Sequence, residues 1–189
     1  MNQSKTLFKK LKKIKAVIFD GDGVLFTGRV FIHPKDGEFL KERSHIDGQG
    51  ISFLRAIGIK IALISGETTG FLEKIGEKLN NLPSVKEGKW APIAIFTGPK
   101  REGKVKAIEN WLKENNLSWQ DCAVMGDDLT DYHLLKKVGF SAAPAQAEEI
   151  IKKSVDWVTK REGGKGAIRD FANLLLKAKR VNPLKLPLR

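Results

Sequence analysis

One cysteine occurs among the 189 residues, so the chain cannot form an internal disulfide, and the apolar strand pattern around Cys122 predicts a core position. No run of apolar residues is long enough to span a bilayer. The basic N-terminus, residues 1–15, lacks the apolar stretch and cleavage site of a signal peptide, so we expect a cytoplasmic protein without a membrane partner. The three histidines show no spacing typical of metal binding: His33, His45 and His133.

The composition is strongly biased toward positively charged residues, which give the chain a net charge of +12. Lysines crowd residues 5–15, but Leu7, Leu11 and Ile14 recur between them at helical spacing, which predicts a solvent-exposed amphipathic helix. No nucleic-acid recognition motif or interleaved set of aromatic residues accompanies these lysines, which argues against a nucleic-acid partner. The excess charge can instead attract small anionic substrates.

Strand-like and helix-like segments alternate along the chain, without internal repeats or low-complexity stretches. This alternation predicts an α/β fold, a Rossmann-like doubly wound parallel sheet covered by helices on both faces. A hydrophobic content of 41% suits a single domain over residues 1–189. The predicted strands cover 16–20, 59–64, 92–96, 121–125, 139–142 and 155–158, and the predicted helices cover 48–57, 68–79, 103–115, 128–137, 146–152 and 166–179.

Residues 24–43 form the main interruption of this alternation. They contain two short extended stretches around the turn sequence His33–Gly37 (HPKDG). Because this insertion is too short for a cap domain, we predict a β-hairpin flap beside the end of the first strand. A functional site at that strand end would have no cap domain over it, so it stays open to solvent unless another subunit covers it. At the other end of the chain, residues 160–189 are predicted to form a glycine-rich tail and a helix.

The first candidate site follows the apolar run Ala16–Phe19, where Asp20 and Asp22 lie one residue apart. Ligands of open α/β sheets collect at the carboxyl ends of the strands. Aspartate can form a covalent phosphoryl intermediate, so Asp20 is the candidate nucleophile and Asp22 its helper. Two carboxylates this close repel each other and raise a pKa unless a cation such as Mg²⁺ neutralises them. The structural alternative is a polar turn after a strand.

Two further predicted strands end in polar residues in the same way. One is followed by Ser65 and Gly66, and the other by the run Gly126–Asp131 (GDDLTD). Between them, Lys104 near the start of a predicted helix supplies a cation. Each residue has an ordinary alternative, since Ser65 could be a helix N-cap, Lys104 a solvated residue and Asp131 a first-turn acid. The three strand ends taken together favour a functional site.

These motifs resemble, in order, those of the haloacid dehalogenase (HAD) superfamily of Mg²⁺-dependent phosphohydrolases. The resemblance implies an HAD-like fold and hydrolysis through an aspartyl phosphate on Asp20, with Asp22 as general acid and then general base. It implies that one oxygen of Asp20, the backbone carbonyl of Asp22 and the carboxylate of Asp127 hold Mg²⁺. Asp128 and Asp131 would support the site, through water or by orienting the lysine.

The resemblance also implies one lysine that neutralises charge on the phosphoryl oxygens. Three lysines compete for this role: Lys100, Lys104 and Lys106. The separation between Lys104 and Asp127 matches the interval in the family, so we predict Lys104. The stretch from 82 to 101 is longer than in relatives and predicts an extra surface loop.

A closer resemblance, over nearly the whole chain, is to the capless branch of phosphatases of 3-deoxy-2-ulosonate phosphates. The matching motifs are Asp20–Leu25, Gly37-Glu38 with Lys41, Asp47–Ile51, Gly126–Asp131, Val138-Gly139 and Gly163–Arg169. This branch implies a homotetramer in which the flaps pack together and the C-terminal segment, with Arg169, approaches a neighbour's substrate. Its members act on octulosonate 8-phosphate or nonulosonate 9-phosphate.

Substrate recognition is predicted from the segment that begins at Ser65. The family implies that Ser65 and the amides of Gly66 and Glu67 bind phosphoryl oxygens at the start of the predicted helix. Octulosonate-specific members have arginine where this chain has Glu67. Members that act on nine-carbon acids share Glu67 and Lys78, about three helical turns apart and on one helix face, which favours nonulosonate 9-phosphate. An ordinary solvated pair is the alternative.

Three functions from different classes follow from these observations. The first is a sugar-acid phosphatase, the second is a non-catalytic scaffold on the same fold, and the third is a polynucleotide phosphatase that uses the basic N-terminal arm. Fold alone does not choose between them. The intact acidic set argues against the scaffold, and the missing nucleic-acid module argues against the polynucleotide phosphatase.

Overall fold

The computed structural model describes residues 2–187, and its strands follow the alternation expected from the sequence. In chain order they are β1 (Ala16–Asp20), β2 (Val30–His33), β3 (Gly37–Lys41), β4 (Lys60–Ser65), β5 (Ala94–Thr97), β6 (Cys122–Met125), β7 (Phe140–Ala143) and β8 (Trp157–Val158). Six of them form one parallel sheet in the order β5-β4-β1-β6-β7-β8, while β2 and β3 form an antiparallel hairpin. The predicted α/β fold with a flap is confirmed.

The helices are α1 (Asn2–Lys13), α2 (His45–Ala56), α3 (Phe71–Asn80), α4 (Pro83–Lys86), α5 (Glu102–Glu114), α6 (Tyr132–Leu135), α7 (Glu149–Lys152) and α8 (Ala167–Lys179). Within the described part of the chain, none of the helices combines the length and the apolar character needed to cross a membrane. The amphipathic α1 was predicted from its apolar spacing. Leu11 in α1 and Ile14, which directly follows α1, are both fully buried.

Hydrophobic residues fill both faces of the parallel sheet. Side chains of a strand alternate between its two faces, so Val17 and Phe19 of β1 join one core while Ala16 and Ile18 join the other. Helices α1, α2, α3 and α8 cover the first face, and α5, α6 and α7 cover the second. Cys122 is fully buried, as its strand pattern predicted.

The connection order reverses at β1, which lies between β4 and β6. The chain runs outward from β1 through β4 to β5, then crosses back to build β6, β7 and β8 on the other side. Crevices at such a reversal, outside the carboxyl ends of the strands, are where open α/β sheets bind ligands. Residues after β1, β4 and β6 therefore meet at one edge of the sheet.

The flap, residues 27–42, leaves the sheet directly after the first candidate motif. At its base the amide of Thr27 donates to the carbonyl of Glu42 over 3.0 Å. Its large apolar side chains face solvent, with exposed fractions of 52–71%: Phe31, Ile32, Phe39 and Leu40. No second domain is inserted between β1 and α2, so the structure matches the predicted flap without a cap.

Two of the predicted helices follow strands that end at the site, and both differ from the observed helices. The helix predicted over 68–79 begins only at Phe71, because Gly70 adopts a left-handed φ of 83° and serves as its N-cap. The helix predicted over 128–137 is a 3₁₀ turn followed by the four-residue α6. In both cases the apolar pattern was read one to four residues too far toward the N-terminus.

The stretch from 82 to 101 is more ordered than the surface loop that was predicted. It begins with α4 and carries Trp90, which is 5% exposed and lies 5.5 Å from the guanidinium of Arg55. That guanidinium also donates to the carbonyls of Leu79 and Ala91. These contacts fix the stretch to α2 and α3, so it forms part of the packed structure.

Candidate active site

The turn after β1 brings two strand ends of the predicted site together, those of β1 and β6. Asp20 is the last residue of β1 and is 6% exposed. Gly23 follows in a left-handed conformation with φ of 77°, and a Cβ at this position would overlap the carboxylate of Asp127. Glycine at position 23 therefore lets the carboxylate that follows β6 approach the end of β1.

Lys104 links the nucleophile candidate to the acidic motif after β6. Its ammonium donates to Asp20 Oδ1 over 2.5 Å and to Asp131 Oδ1 over 2.7 Å, and the residue is 2% exposed. Asp131 is held in turn, because its Oδ2 accepts from the amide of Asp127. The structure thus brings Lys104 to Asp20 and leaves Lys106 exposed on α5.

Three carboxylates crowd around this lysine. Single oxygens of Asp20, Asp127 and Asp131 all lie within 4.8 Å of one another. Burial, and then the charge of Asp131, raises the pKa of Asp20 well above its ordinary value despite Lys104. Burial, and then the charges of Asp131 and Asp128, raises the pKa of Asp127 to about 7. The dense set of carboxylate oxygens, together with the raised pKa values of Asp20 and Asp127, fits a hard divalent cation.

Asp22 is held by the flap. Lys41 of β3 donates to Asp22 Oδ1 over 2.8 Å and lies 3.2 Å from Glu38, and its side chain is 3% exposed. The hydroxyl of Ser65 donates to Asp22 Oδ2 over 3.2 Å. The sequence contained Lys41 only as part of a matching motif, because its contact with Asp22 crosses the hairpin and follows no helical or strand spacing.

Replacement of Lys41 tests this contact. In Lys41→Met the stem remains and the charge is lost, so Asp22 loses its anchor to the flap, and we expect kcat to fall by about 10- to 100-fold. Steady-state kinetics on any accepted phosphate ester measure the change. Lys35→Met is the matched control, since Lys35 is an exposed lysine in the turn of the same flap. Full kcat in Lys41→Met would contradict a catalytic requirement for the flap contact.

The glycine-rich tail is joined to the turn after β1 by hydrogen bonds. The amide of Gly164 donates to the carbonyl of Val24 over 2.8 Å. The side chain of Gln146 connects the two segments, since it donates to the carbonyl of Gly23 and accepts from the amide of Gly163. A Cβ at position 163 would overlap the carbonyl group of Gly23.

Asp47 fixes the same tail to α2. This residue is fully buried and accepts from the amides of Gly166 and Arg169 at the start of α8. The guanidinium of Arg169 lies 4.3 Å from the ring of Phe53 and donates to Gln49 and Asn173. Within the described residues of one chain, Arg169 does not line the pocket at the strand ends.

A pocket of about 460 Å³ opens above these strand ends. Its lining includes Ser65, Gly66 and Thr130. The charged residues that line it are Asp20, Asp22, Glu38, Glu67, Asp127, Asp128, Lys41, Lys100 and Lys104. The structure therefore gathers nearly all the predicted catalytic and metal-binding residues, and adds Glu38, Lys41, Lys100 and Thr130 to them.

The structure does not place Glu67 and Lys78 on one helix, because α3 begins only at Phe71, and their role in substrate binding stays a prediction. Glu67 precedes α3 and lines the pocket, whereas Lys78 is exposed near the end of α3 and is absent from the lining formed by the described residues. The amide of Glu67 donates to Ser65 Oγ over 3.1 Å, and its predicted contact with a phosphoryl group stays a prediction. Ser65 is likewise no helix N-cap, because Gly70 takes that place.

The chain is similar to known hydrolases in both sequence and fold. The model of the haloacid dehalogenase-like hydrolases matches residues 6–169. The 3-deoxy-D-manno-octulosonate 8-phosphate phosphatase KdsC of Salmonella typhi is 31% identical over 169 residues, which cover 89% of this chain and 82% of the relative.

Solved structures show the same likeness. The 3-deoxy-D-manno-octulosonate 8-phosphate phosphatase of Moraxella catarrhalis, in complex with magnesium, phosphate and KDO, aligns with a TM-score of 0.80 and 27% identity over 92% of each chain. The cobalt-bound deoxy-D-mannose-octulosonate 8-phosphate phosphatase of Haemophilus influenzae aligns with a TM-score of 0.78 and 32% identity over 90% of this chain and 92% of that one.

This chain belongs to the family of haloacid dehalogenase-like hydrolases. Within that family it is a phosphatase, a phosphoric monoester hydrolase. The prediction of an enzyme is confirmed, and the alternative of a non-catalytic scaffold is wrong. The divalent metals in the two solved relatives agree with the carboxylate cluster around Asp20, Asp127 and Asp131.

Proposed function

We propose that this chain hydrolyses the phosphate ester of a 2-keto-3-deoxy sugar acid, and that the ester is 3-deoxy-D-manno-octulosonate 8-phosphate. The observation that carries the proposal is the position of Asp20, which lines the pocket, accepts from Lys104 and belongs to the carboxylate cluster with Asp127 and Asp131. The relatives named above support the choice of substrate, since their names specify this ester.

Each polar group around Asp20 has a role in this reaction. Asp20 attacks phosphorus in line, and the bond to the sugar oxygen breaks as Asp22 delivers a proton to that oxygen. Asp22 then accepts a proton from the water that attacks the aspartyl phosphate, which releases inorganic phosphate and frees Asp20. Ser65 and Gly66 contact the phosphoryl oxygens, and Lys104 orients Asp20 and offsets the charge that develops there.

The carboxylates fit Mg²⁺, which prefers oxygen ligands in an octahedral arrangement. Asp20, Asp127 and the backbone carbonyl of Asp22 would hold it, and when bound it neutralises charge on the phosphoryl group and the nucleophile. Asp131 lies in the same cluster, but both of its oxygens already accept hydrogen bonds, from Lys104 and from the amide of Asp127. Asp131 therefore orients the lysine, and Asp128 supports the site from the rim of the pocket.

Binding of Mg²⁺ should depend on pH through Asp127. Its pKa of about 7 means that the carboxyl group is mostly protonated at pH 6 and ionised at pH 8. Because a proton must leave before the metal binds, we expect the Kd for Mg²⁺ to be about tenfold lower at pH 8 than at pH 6. Isothermal titration calorimetry at the two pH values measures the ratio. Equal Kd values would contradict the ligand role, and Asp127→Asn should bind Mg²⁺ weakly at both.

A panel of substrates tests the proposed reaction. The panel contains octulosonate 8-phosphate, nonulosonate 9-phosphate, simple sugar phosphates and 3′-phosphorylated DNA, each assayed for phosphate release with and without Mg²⁺. We expect the highest kcat/KM for octulosonate 8-phosphate. The sequence favoured the nine-carbon ester through the pair of Glu67 and Lys78, but of these two only Glu67 is among the described residues that line the pocket. The highest kcat/KM on DNA or on a simple sugar phosphate would overturn the sugar-acid proposal.

We also propose that the chain acts as a homotetramer. The apolar side chains of the flap are exposed in the single chain, and contiguous exposed apolar surface marks sites of association. Arg169 would then serve a neighbour's pocket, in keeping with its absence from the pocket lining of its own chain. Light scattering at the assay concentration should give four times the mass of the chain. A fully active monomer would contradict this assembly.

A further inference from the structure

Lys100 differs from the other two lysines of the pocket in having no anionic partner among the described residues. Lys104 is held by Asp20 and Asp131, and Lys41 by Asp22 and Glu38. Lys100 also lines the pocket, but it makes no ion pair or side-chain hydrogen bond with the described part of the chain. Among the described residues that line the pocket, Lys100 thus carries the one positive charge that remains available to a ligand.

The stem of Lys100 runs alongside Gly66, next to the predicted phosphoryl site. A Cβ on residue 66 would lie 3.1 Å from Cγ and 3.4 Å from Cε of Lys100. The ammonium group is one bond beyond Cε, so it lies near the segment that Ser65 and Gly66 contribute to the pocket. Glycine at position 66 leaves the space through which this lysine reaches the pocket.

Hydrogen bonds in the loop before α5 fix the backbone position of Lys100. The amide of Gly103 donates to the carbonyl of Lys100 over 2.9 Å, and the amide of Lys104 donates to the carbonyl of Arg101. These bonds place Lys100 just before α5 and about one turn before Lys104, so the two lysines approach the pocket from the same end of that helix. The buried Lys104 meets the nucleophile at the base, and the exposed Lys100 reaches the pocket across Gly66.

We propose that Lys100 is a second phosphate-binding residue, which captures the phosphoryl group of the substrate beside Ser65 and Gly66. This role rests on the proposed phosphoryl site and is specific to the anion, whichever alcohol it is esterified to. A flexible, exposed ammonium follows the phosphoryl group from the ground state to the transition state, so it contributes binding to both states alike. Such uniform binding lowers KM and leaves kcat nearly unchanged.

Inorganic phosphate and p-nitrophenyl phosphate test this role without a sugar acid. In Lys100→Met we expect about a tenfold higher Kd for inorganic phosphate by calorimetry in MgCl₂, and a similar rise in KM for p-nitrophenyl phosphate, because a charge-assisted hydrogen bond is lost. The kcat should stay within about twofold. Lys100→Arg should retain most of the affinity, and Lys106→Met is the matched control, since Lys106 is an exposed lysine of the adjoining helix α5 outside the pocket lining.

Each other result has a distinct meaning. Unchanged phosphate affinity in Lys100→Met would overturn the role of Lys100 while leaving the phosphatase proposal intact. A rise in KM confined to sugar-acid esters would also overturn it, because the lysine would then bind the sugar carboxylate. Absence of phosphate binding in the unaltered chain would overturn the phosphoryl site beside Ser65 and Gly66, and with it this role.

Discussion

Replacement of Asp20 by asparagine is expected to abolish phosphatase turnover and leave the fold intact. An amide cannot attack phosphorus and carries no charge to hold a divalent cation, so kcat should fall by at least about 10⁴-fold. Stability should change little, because burial already disfavours the charged form of Asp20 and Lys104 keeps its contact with Asp131. Urea unfolding should give a free energy within about 1 kcal/mol of the unaltered protein.

The control for this variant is Asp36→Asn, the same chemical change at an exposed position in the turn of the flap. It should retain normal kcat and normal stability. Activity above a few per cent in a contaminant-free, metal-replete preparation of Asp20→Asn would refute the covalent mechanism. Acid quench of the unaltered enzyme during turnover should also trap phosphate on the protein, and Asp20→Asn should trap none.

Gly163→Ala is expected to reduce both stability and turnover, although Gly163 is not among the described residues that line the pocket. The added methyl group would overlap the carbonyl of Gly23, so the tail or the turn after β1 must move. Overpacking of this kind costs about 1–3 kcal/mol of unfolding free energy. Displacement of the turn also misplaces Asp22, and a shift of about 1 Å can cost on the order of 100-fold in kcat.

Gly103→Ala provides a matched control for the added methyl group. Its Cβ would meet Pro99 at 3.5 Å, an ordinary contact, and the residue lies in the first turn of α5. Alanine there should leave turnover unchanged and stabilise the protein slightly, because alanine favours the helix. Normal kcat in a folded Gly163→Ala protein would show that the tail does not position the turn after β1.

The sequence predicted the parts of the site that depend on strand ends. Asp20, Asp127 and Asp131 follow apolar runs, and a parallel sheet brings the ends of such runs to one edge. Lys104 was selected from three lysines by its interval to Asp127, and the structure places it against Asp20. These positions follow from local pattern and topology, so they needed no knowledge of side-chain packing.

Other parts of the site depend on contacts that spacing does not encode. Lys41 reaches Asp22 only because the hairpin folds back over the turn after β1. The helix expected to align Glu67 with Lys78 begins only after the left-handed Gly70, so it does not extend back toward Glu67 as the apolar pattern suggested. The tetramer, the cytoplasmic location and the role of Arg169 stay predictions, since they concern other chains and the cell.

Because the flap is exposed, we expect catalytic activity to be less resistant to heat than the fold. A two-stranded hairpin is only marginally stable in water without packing against other elements, and the large apolar side chains of β2 and β3 face solvent. Local unfolding of such a segment needs far less free energy than unfolding of the core around β1. Lys41 leaves Asp22 when the hairpin unfolds locally, so thermal inactivation should precede loss of the sheet and be reversible on cooling. Subunit contacts that cover the flap should raise the temperature at which inactivation begins.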